Sequence, residues 1–303
     1  MDVISSSPPG AKLTREQIEA RLRTSKPMPS LQRINEALQA LLAGEHHFAS
    51  EISEVIRRDP SLSSRVLQLA NSVYFGLATP VRTIDEAVLY LGMQQIRELA
   101  MITPIVEDFQ RLSKDVPFTW REFWQHCIGT AILTREILTT AKEGGGESDY
   151  LAGLLHDVGK IVMASAFPEQ FVDIYQCHGE VVQDLKDVET FVMGIDHGEL
   201  GAIYFEIYQV PEVFVDTARF HHAPQLAERH QKIAAAVQIA DLLIRHSKIG
   251  GSGDRKVVTL ADCFGAAGWG ILYPTTSAAE LSRIQTRTKL GLERLPIYLA
   301  GLI

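Results

Sequence analysis

Apolar residues recur at three- and four-residue spacing along almost the whole chain, while the period-2 alternation of a half-buried strand is scarce. That spacing gives each helical turn one face to bury and leaves no sheet to build a core on. Leu31, Ile34, Leu38, Leu41 and Leu42 mark one such face, and Ala49, Ile52, Val55 and Ile56 a second. Val66, Leu69, Ala70 and Val73 mark a third, and Val88, Leu91, Ile96 and Leu99 fall in a helix expected over about 84–101. Asp59-Pro60 punctuates the series, with Asp59 as a cap and Pro60 at the first position of the next helix. The expected fold class is all-α.

A polar stretch, Arg111 to Val116, divides the chain into two helical lobes. The boundaries read as an N-terminal extension over 1–26, a first lobe over 27–112, a second lobe over 113–248 and a C-terminal helical extension over 249–303. In the second lobe the pattern predicts helices at 120–142, 148–164, 180–193, 196–207, 211–222 and 230–247, and in the extension at 259–268 and 277–302. Residues 1 to 12 read as a loose tail, and Thr119-Trp120-Arg121-Glu122 as a capping box. Ile249-Gly250-Gly251-Ser252-Gly253 reads as a flexible joint.

Charge and cysteine content exclude several classes of function. The formal net charge of −8 argues against a broad grip on nucleic acid or anionic lipid. No stretch approaches the roughly 18 to 20 apolar residues of a membrane span, so a cytoplasmic protein with no membrane and no direct nucleic-acid partner is expected. Cys127, Cys177 and Cys263 form no CxxC pair, which argues against a disulfide framework or zinc knuckle.

The histidines carry the chemical signal. Glu122 and His126 stand four apart on one helix face. His156-Asp157 sits in Leu154-Leu155-His156-Asp157-Val158-Gly159-Lys160, His197 follows Asp196, His221-His222 precedes Pro224, and Asp241 lies in an apolar helix. Imidazole nitrogen with carboxylate oxygen suits iron, manganese, zinc or nickel. Lys160 could meet a phosphate oxygen as a point charge. Taken singly, each has an ordinary reading: a lone His as a satisfied core or surface residue, Glu122 as the capping-box partner of Thr119, His221-His222 as a helix end, Asp241 as a hydrogen-bonded or solvent-facing group, and Lys160 as a surface charge; Asp196 beside His197 could also serve as the ligand in its place.

Taken together they resemble a known pattern. Leu154 to Lys160 is similar to the motif of the HD superfamily of metal-dependent phosphohydrolases. Arg58-Asp59-Pro60-Ser61-Leu62-Ser63-Ser64-Arg65-Val66-Leu67-Gln68-Leu69-Ala70-Asn71-Ser72 and Thr83-Ile84-Asp85-Glu86-Ala87-Val88-Leu89-Tyr90-Leu91-Gly92-Met93 resemble the HDOD signature. The resemblance covers roughly Pro27 to Ser247 and implies a first helical lobe followed by an HD-like bundle. It implies a metal site of Glu122, His126, His156, Asp157, His197, His221, His222 and Asp241, with Asp157 bridging and Lys160 the lysine of the motif. Two or three ions, typically iron or manganese, would occupy it. The Gly-Tyr-Pro loop of the related HD-GYP phosphodiesterases does not follow His221-His222 here. The resemblance therefore implies a signal-transduction module that holds metal with little or no turnover. The second reading is an active phosphohydrolase acting on a nucleotide or cyclic dinucleotide, with Asp157 and Lys160 as catalytic residues. A signalling partner is implied but not identified, and a nucleotide or phosphate is the ligand the metal site would take.

Overall fold

The computed structural model describes residues 12–24, 118–144, 147–178 and 183–300, with selected positions between 53 and 96. Among the described residues every regular element is a helix, as the spacing predicts. Helix α1 spans Arg15–Thr24, α2 Trp120–Ala141, α3 Glu147–Leu155, α4 Val158–Ala166, α5 Pro168–His178, α6 Leu185–Met193 and α7 His197–Ile207. Then follow α8 Glu212–Phe220, α9 Gln231–His246, α10 Leu260–Phe264, α11 Ala267–Leu272, α12 Ala278–Gly291 and α13 Leu295–Ala300.

Most of the first lobe, including Leu31 to Leu42 and the Asp59-Pro60 cap, lies outside the described residues. Where it is described, Ile56, Val66, Ala70, Ile84, Val88, Leu91 and Ile96 are buried, at the positions the helical spacing marks. Asn71 of the HDOD-like signature accepts from Val81 N–H at 2.7 Å and donates to Val81 C=O at 2.9 Å. Both polar groups of a buried backbone segment are thereby satisfied.

The second lobe is built on α2, which packs along α3 and α9; α4 packs on α7, and α7 on α8. Phe123, Phe171 and Tyr150 are fully buried in its core, as is Trp269 of the C-terminal extension, whose helix α11 packs on α9. Each contributes on the order of 2–3 kcal/mol of burial.

Several expected elements differ in detail. The helix expected over 148–164 breaks at His156-Asp157, giving α3 and α4. The His156 ring binds back to Gly153 C=O at 2.7 Å, and Asp157 leaves the helical conformation at φ −97°, ψ 13°. The break turns both side chains inward. The helix expected at 180–193 begins at Leu185, and that at 259–268 divides into α10 and α11. The sequence reading passes over α5 and α1. Thr119 makes no side-chain cap, so the expected capping box with Glu122 is absent. Thr119 sits at φ −81°, ψ 72°, outside the extended conformation such a cap needs, and Trp120 N–H bonds to Phe118 C=O instead.

Helix α1 carries a capping box of its own. Thr14 N–H donates to Gln17 Oε1 at 2.9 Å and Gln17 N–H to Thr14 Oγ1 at 3.3 Å. Ile18 and Leu22 then bury against α7, and Arg21 Nε donates to Ala166 C=O at the end of α4.

The joint expected to be flexible at 249–253 is packed. Gly251 N–H donates to Glu122 C=O at 2.9 Å, and Ser252 is buried. Gly250 takes φ +67°, and a Cβ there would lie 2.2 Å from Glu122 O. Its glycine serves a positive φ and a close backbone approach rather than mobility. Residues 249–257 thus form a strap across the end of α2.

Candidate metal centre

Five places in the fold aim side chains at one point. His126 comes from the second turn of α2, His156 and Asp157 from the α3–α4 break, and His197 from the first position of α7. His221 and His222 follow the end of α8, and Asp241 comes from the middle of α9. All are buried except His222, which is half-buried.

Asp157 stands at the centre. Its Oδ2 lies 3.6 Å from His126 Nε2 and 3.5 Å from His156 Nε2; its Oδ1 lies 3.1 Å from His197 Nε2 and 3.7 Å from His221 Nε2. Asp241 Oδ1 adds a carboxylate oxygen 3.2 Å from His126 Nε2. Two groups result, His126–His156–Asp157 and His197–His221–His222, each with ligand atoms within 4.8 Å of one another. One carboxylate with one oxygen toward each group is the arrangement that bridges two cations.

Hydrogen bonds behind the rings set their tautomers. His156 Nδ1–H donates to Gly153 C=O, and His221 Nδ1–H to Ala218 C=O at 2.8 Å. Each ring therefore turns a bare Nε2 lone pair inward. Both nitrogens are buried with no hydrogen-bond partner. An unsatisfied buried acceptor is costly, and two of them converging on one carboxylate fit the donor set of a borderline divalent metal.

His197 is held differently. Glu189 Oε2, on α6, accepts from His197 Nδ1–H at 2.6 Å and from His197 N–H at 2.8 Å. This carboxylate–imidazole pair is the support a metal-binding histidine ordinarily carries. Burial lowers the His197 pKa, but Glu189 and Asp157 outweigh it and push it up to about 9. Its Nε2 lies 2.9 Å from His222 Nε2 and 3.1 Å from Asp157 Oδ1. Burial and the neighbouring imidazoles His156 and His197 push His221 down to about 3. Burial alone would raise the Asp157 carboxyl, but Lys160, His156 and His197 hold it well below the usual carboxylate range.

Lys160 is not a surface charge. Its ammonium is buried, 2.6 Å from Asp157 Oδ2 and 3.0 Å from Ser252 C=O on the strap. Arg245, one turn after Asp241, lies 3.6 Å from Asp241 Oδ2 and 2.8 Å from strap residue Asp254. A cavity of about 30 Å³ adjoins Asp157, Lys160, His197, His222 and Asp241. That is room for one or two water-sized occupants.

Glu122 does not join either group. It is exposed on α2, one turn before His126, with its carboxylate beside Gly251. Asp196 caps α7 by accepting from Glu199 N–H, so His197 and not Asp196 faces the centre. Sequence reasoning missed Glu189 and Arg245. Glu189 sits on an ordinary amphipathic helix and carries no local signal, whereas Arg245 could have been found from its four-residue spacing to Asp241.

A family model described as the HDOD domain matches residues 28–224. A solved HDOD domain protein of unknown function from Geobacter sulfurreducens is 23% identical, with a TM-score of 0.72 over 92% of this chain and 98% of that one. A structure from Shewanella amazonensis SB2B, whose name proposes a phosphohydrolase, is 22% identical, with a TM-score of 0.68 over 94% of this chain and 98% of that one. An uncharacterized protein of Treponema pallidum (strain Nichols) is 27% identical over 201 residues, 65% of this chain; the match spans only 38% of that relative's length. Among the described residues no helix is long and apolar enough to cross a membrane.

Proposed function

This chain belongs to the HDOD domain family, and from that premise we propose that its HD-like lobe is a signal-transduction module holding two divalent metal ions with little or no turnover. The observation that carries the reading is Asp157, with one oxygen toward His126 and His156 and the other toward His197 and His221. One ion would take His126, His156, Asp157 and Asp241; the other would take Asp157, His197, His221 and His222. Iron or manganese is the pair the family resemblance implies, and the same donors accept zinc or nickel. When bound, such ions lower the pKa of a bound water and clamp a phosphoryl oxygen.

The chain's own residues favour binding over turnover. Lys160 is committed to Asp157 and to the strap carbonyl of Ser252. The strap covers the end of α2, and its Ser252 and Asp254 line the cavity beside Asp157 and Lys160. A signalling partner would then read the folded, metal-pinned lobe rather than a product.

The second reading, an active phosphodiesterase, is favoured by the near-complete ligand set. The two are separated by incubating manganese-loaded protein with bis(4-nitrophenyl) phosphate and with a cyclic dinucleotide. The expected result is release no faster than with manganese alone. Metal-dependent release that disappears in Asp157→Asn would replace the module with an enzyme.

A further inference from the structure

The second ion's three imidazoles come from two helix ends: His197 opens α7, and His221 and His222 follow α8. Their relative position is fixed by whatever ties α7 to α8 near those ends. A network of four charges does so. Glu199 and Glu206 stand seven apart, on one face of α7. Arg219, two residues before His221, donates from Nε to Glu199 Oε2 at 2.8 Å and from Nη2 to Glu206 Oε1 at 2.7 Å. Arg15, on α1, donates to the same two carboxylates, to Glu199 Oε1 at 3.3 Å and Glu206 Oε2 at 2.8 Å.

Each carboxylate is thus held by two guanidiniums from different helices. Glu199 also reaches the metal side directly. Its N–H donates to the Asp196 cap at 2.9 Å, which fixes the turn that presents His197. The residues leading into α1 add a second hold on the same turn: Leu13 N–H donates to Met193 C=O at 3.1 Å, just before it. Isolated surface ion pairs are worth little, but a network in fork geometry is the exception, and it adds orientation. The other group, His126, His156 and Asp157, is held by α2 and the α3–α4 break and touches none of these four charges.

We propose that Glu199, Glu206, Arg219 and Arg15 form a positioning clamp for the His197–His221–His222 metal position, and that α1, docked through Arg15, sets the occupancy of that position. This rests on the two-metal reading above. Helix α1 lies before the matched family region at 28–224. It would act as a control element of this chain: whatever displaces it lowers affinity at one metal position while sparing the other. By reciprocity, filling that position tightens α1.

The test is equilibrium dialysis of the full chain, stripped with chelator and titrated with Mn²⁺, for the parent, Arg219→Gln and Arg15→Ala. The expected result is two binding steps in the parent, with the second weakened about tenfold in Arg219→Gln, and less in Arg15→Ala, while the first is unchanged. Helicity by circular dichroism checks that each variant folds; if Arg219→Gln does not, Arg15→Ala, an exposed residue, decides. Both steps unchanged in the variants would overturn the clamp, as would both weakened in proportion, which is the mark of general loosening. A parent that takes up no Mn²⁺ would overturn the two-metal reading first, and the clamp with it.

Discussion

Gly159→Ala is expected to destabilise the protein by about 3 kcal/mol or more, because the new methyl group has no flexible neighbour to push aside. A Cβ at Gly159 would lie 1.8 Å from His197 O and 2.9 Å from Gly201 N, both backbone atoms. Helix α4 would have to move away from α7. That same movement would separate Asp157 from His197, now 3.1 Å apart. The variant should therefore lose both melting temperature and metal affinity. Gly270→Ala is the matched control. Nothing lies within 4 Å of its Cβ position, and Gly270 is inside α11. There alanine should be neutral or stabilise by up to about 1 kcal/mol. Thermal melts of the two variants beside the parent check the pair; equal melting points for Gly159→Ala and the parent would refute the crossing argument.

Lys160→Met should show an effect whose size depends on metal. In chelator-treated protein the Asp157 carboxylate, 1% exposed, relies on the Lys160 ammonium at 2.6 Å and on His197. Removing one member of a buried pair costs on the order of 3–5 kcal/mol, because the remaining charge is stranded. Ser252 C=O loses its donor as well. Methionine matches the stem of lysine, so the loss reports charge rather than packing. Divalent metal on Asp157 would supply the missing positive charge. Manganese should accordingly raise the melting temperature of Lys160→Met more than that of the parent. A substitution that is equally mild with and without metal would show that Asp157 does not depend on this partner.

The sequence carried the fold class and the ligand residues unequally. Helical spacing alone marked Ile56, Val66, Val88 and Ile96, all of which are buried. The His156-Asp157 dyad and the tandem His221-His222 stood out as motifs, and they converge. The break that aims the dyad did not stand out, because it depends on the back-bond from His156 to Gly153 rather than on a proline or glycine at that point. Capping signatures show the same limit. Thr14-x-x-Gln17 and Thr119-x-x-Glu122 have the same pattern, yet only the first closes. Glycine content misled in the strap: Gly250 meets Glu122 O and the His126 backbone too closely for any side chain. Glu189 was invisible, since nothing distinguishes an acid on α6 until folding places it behind His197. Local pattern names residues whose role is written in neighbouring positions, and it is silent about supports that arrive from another helix.

The central claim is that Asp157 joins two metal positions. The most direct measurement is elemental analysis of the parent and of Asp157→Asn, both purified without chelator and without nickel affinity resin. The account predicts about two divalent ions per chain in the parent, falling well below one in the variant, because asparagine keeps a single neutral oxygen and cannot offer one to each position. Metal absent from both proteins, or retained equally in Asp157→Asn, would contradict it.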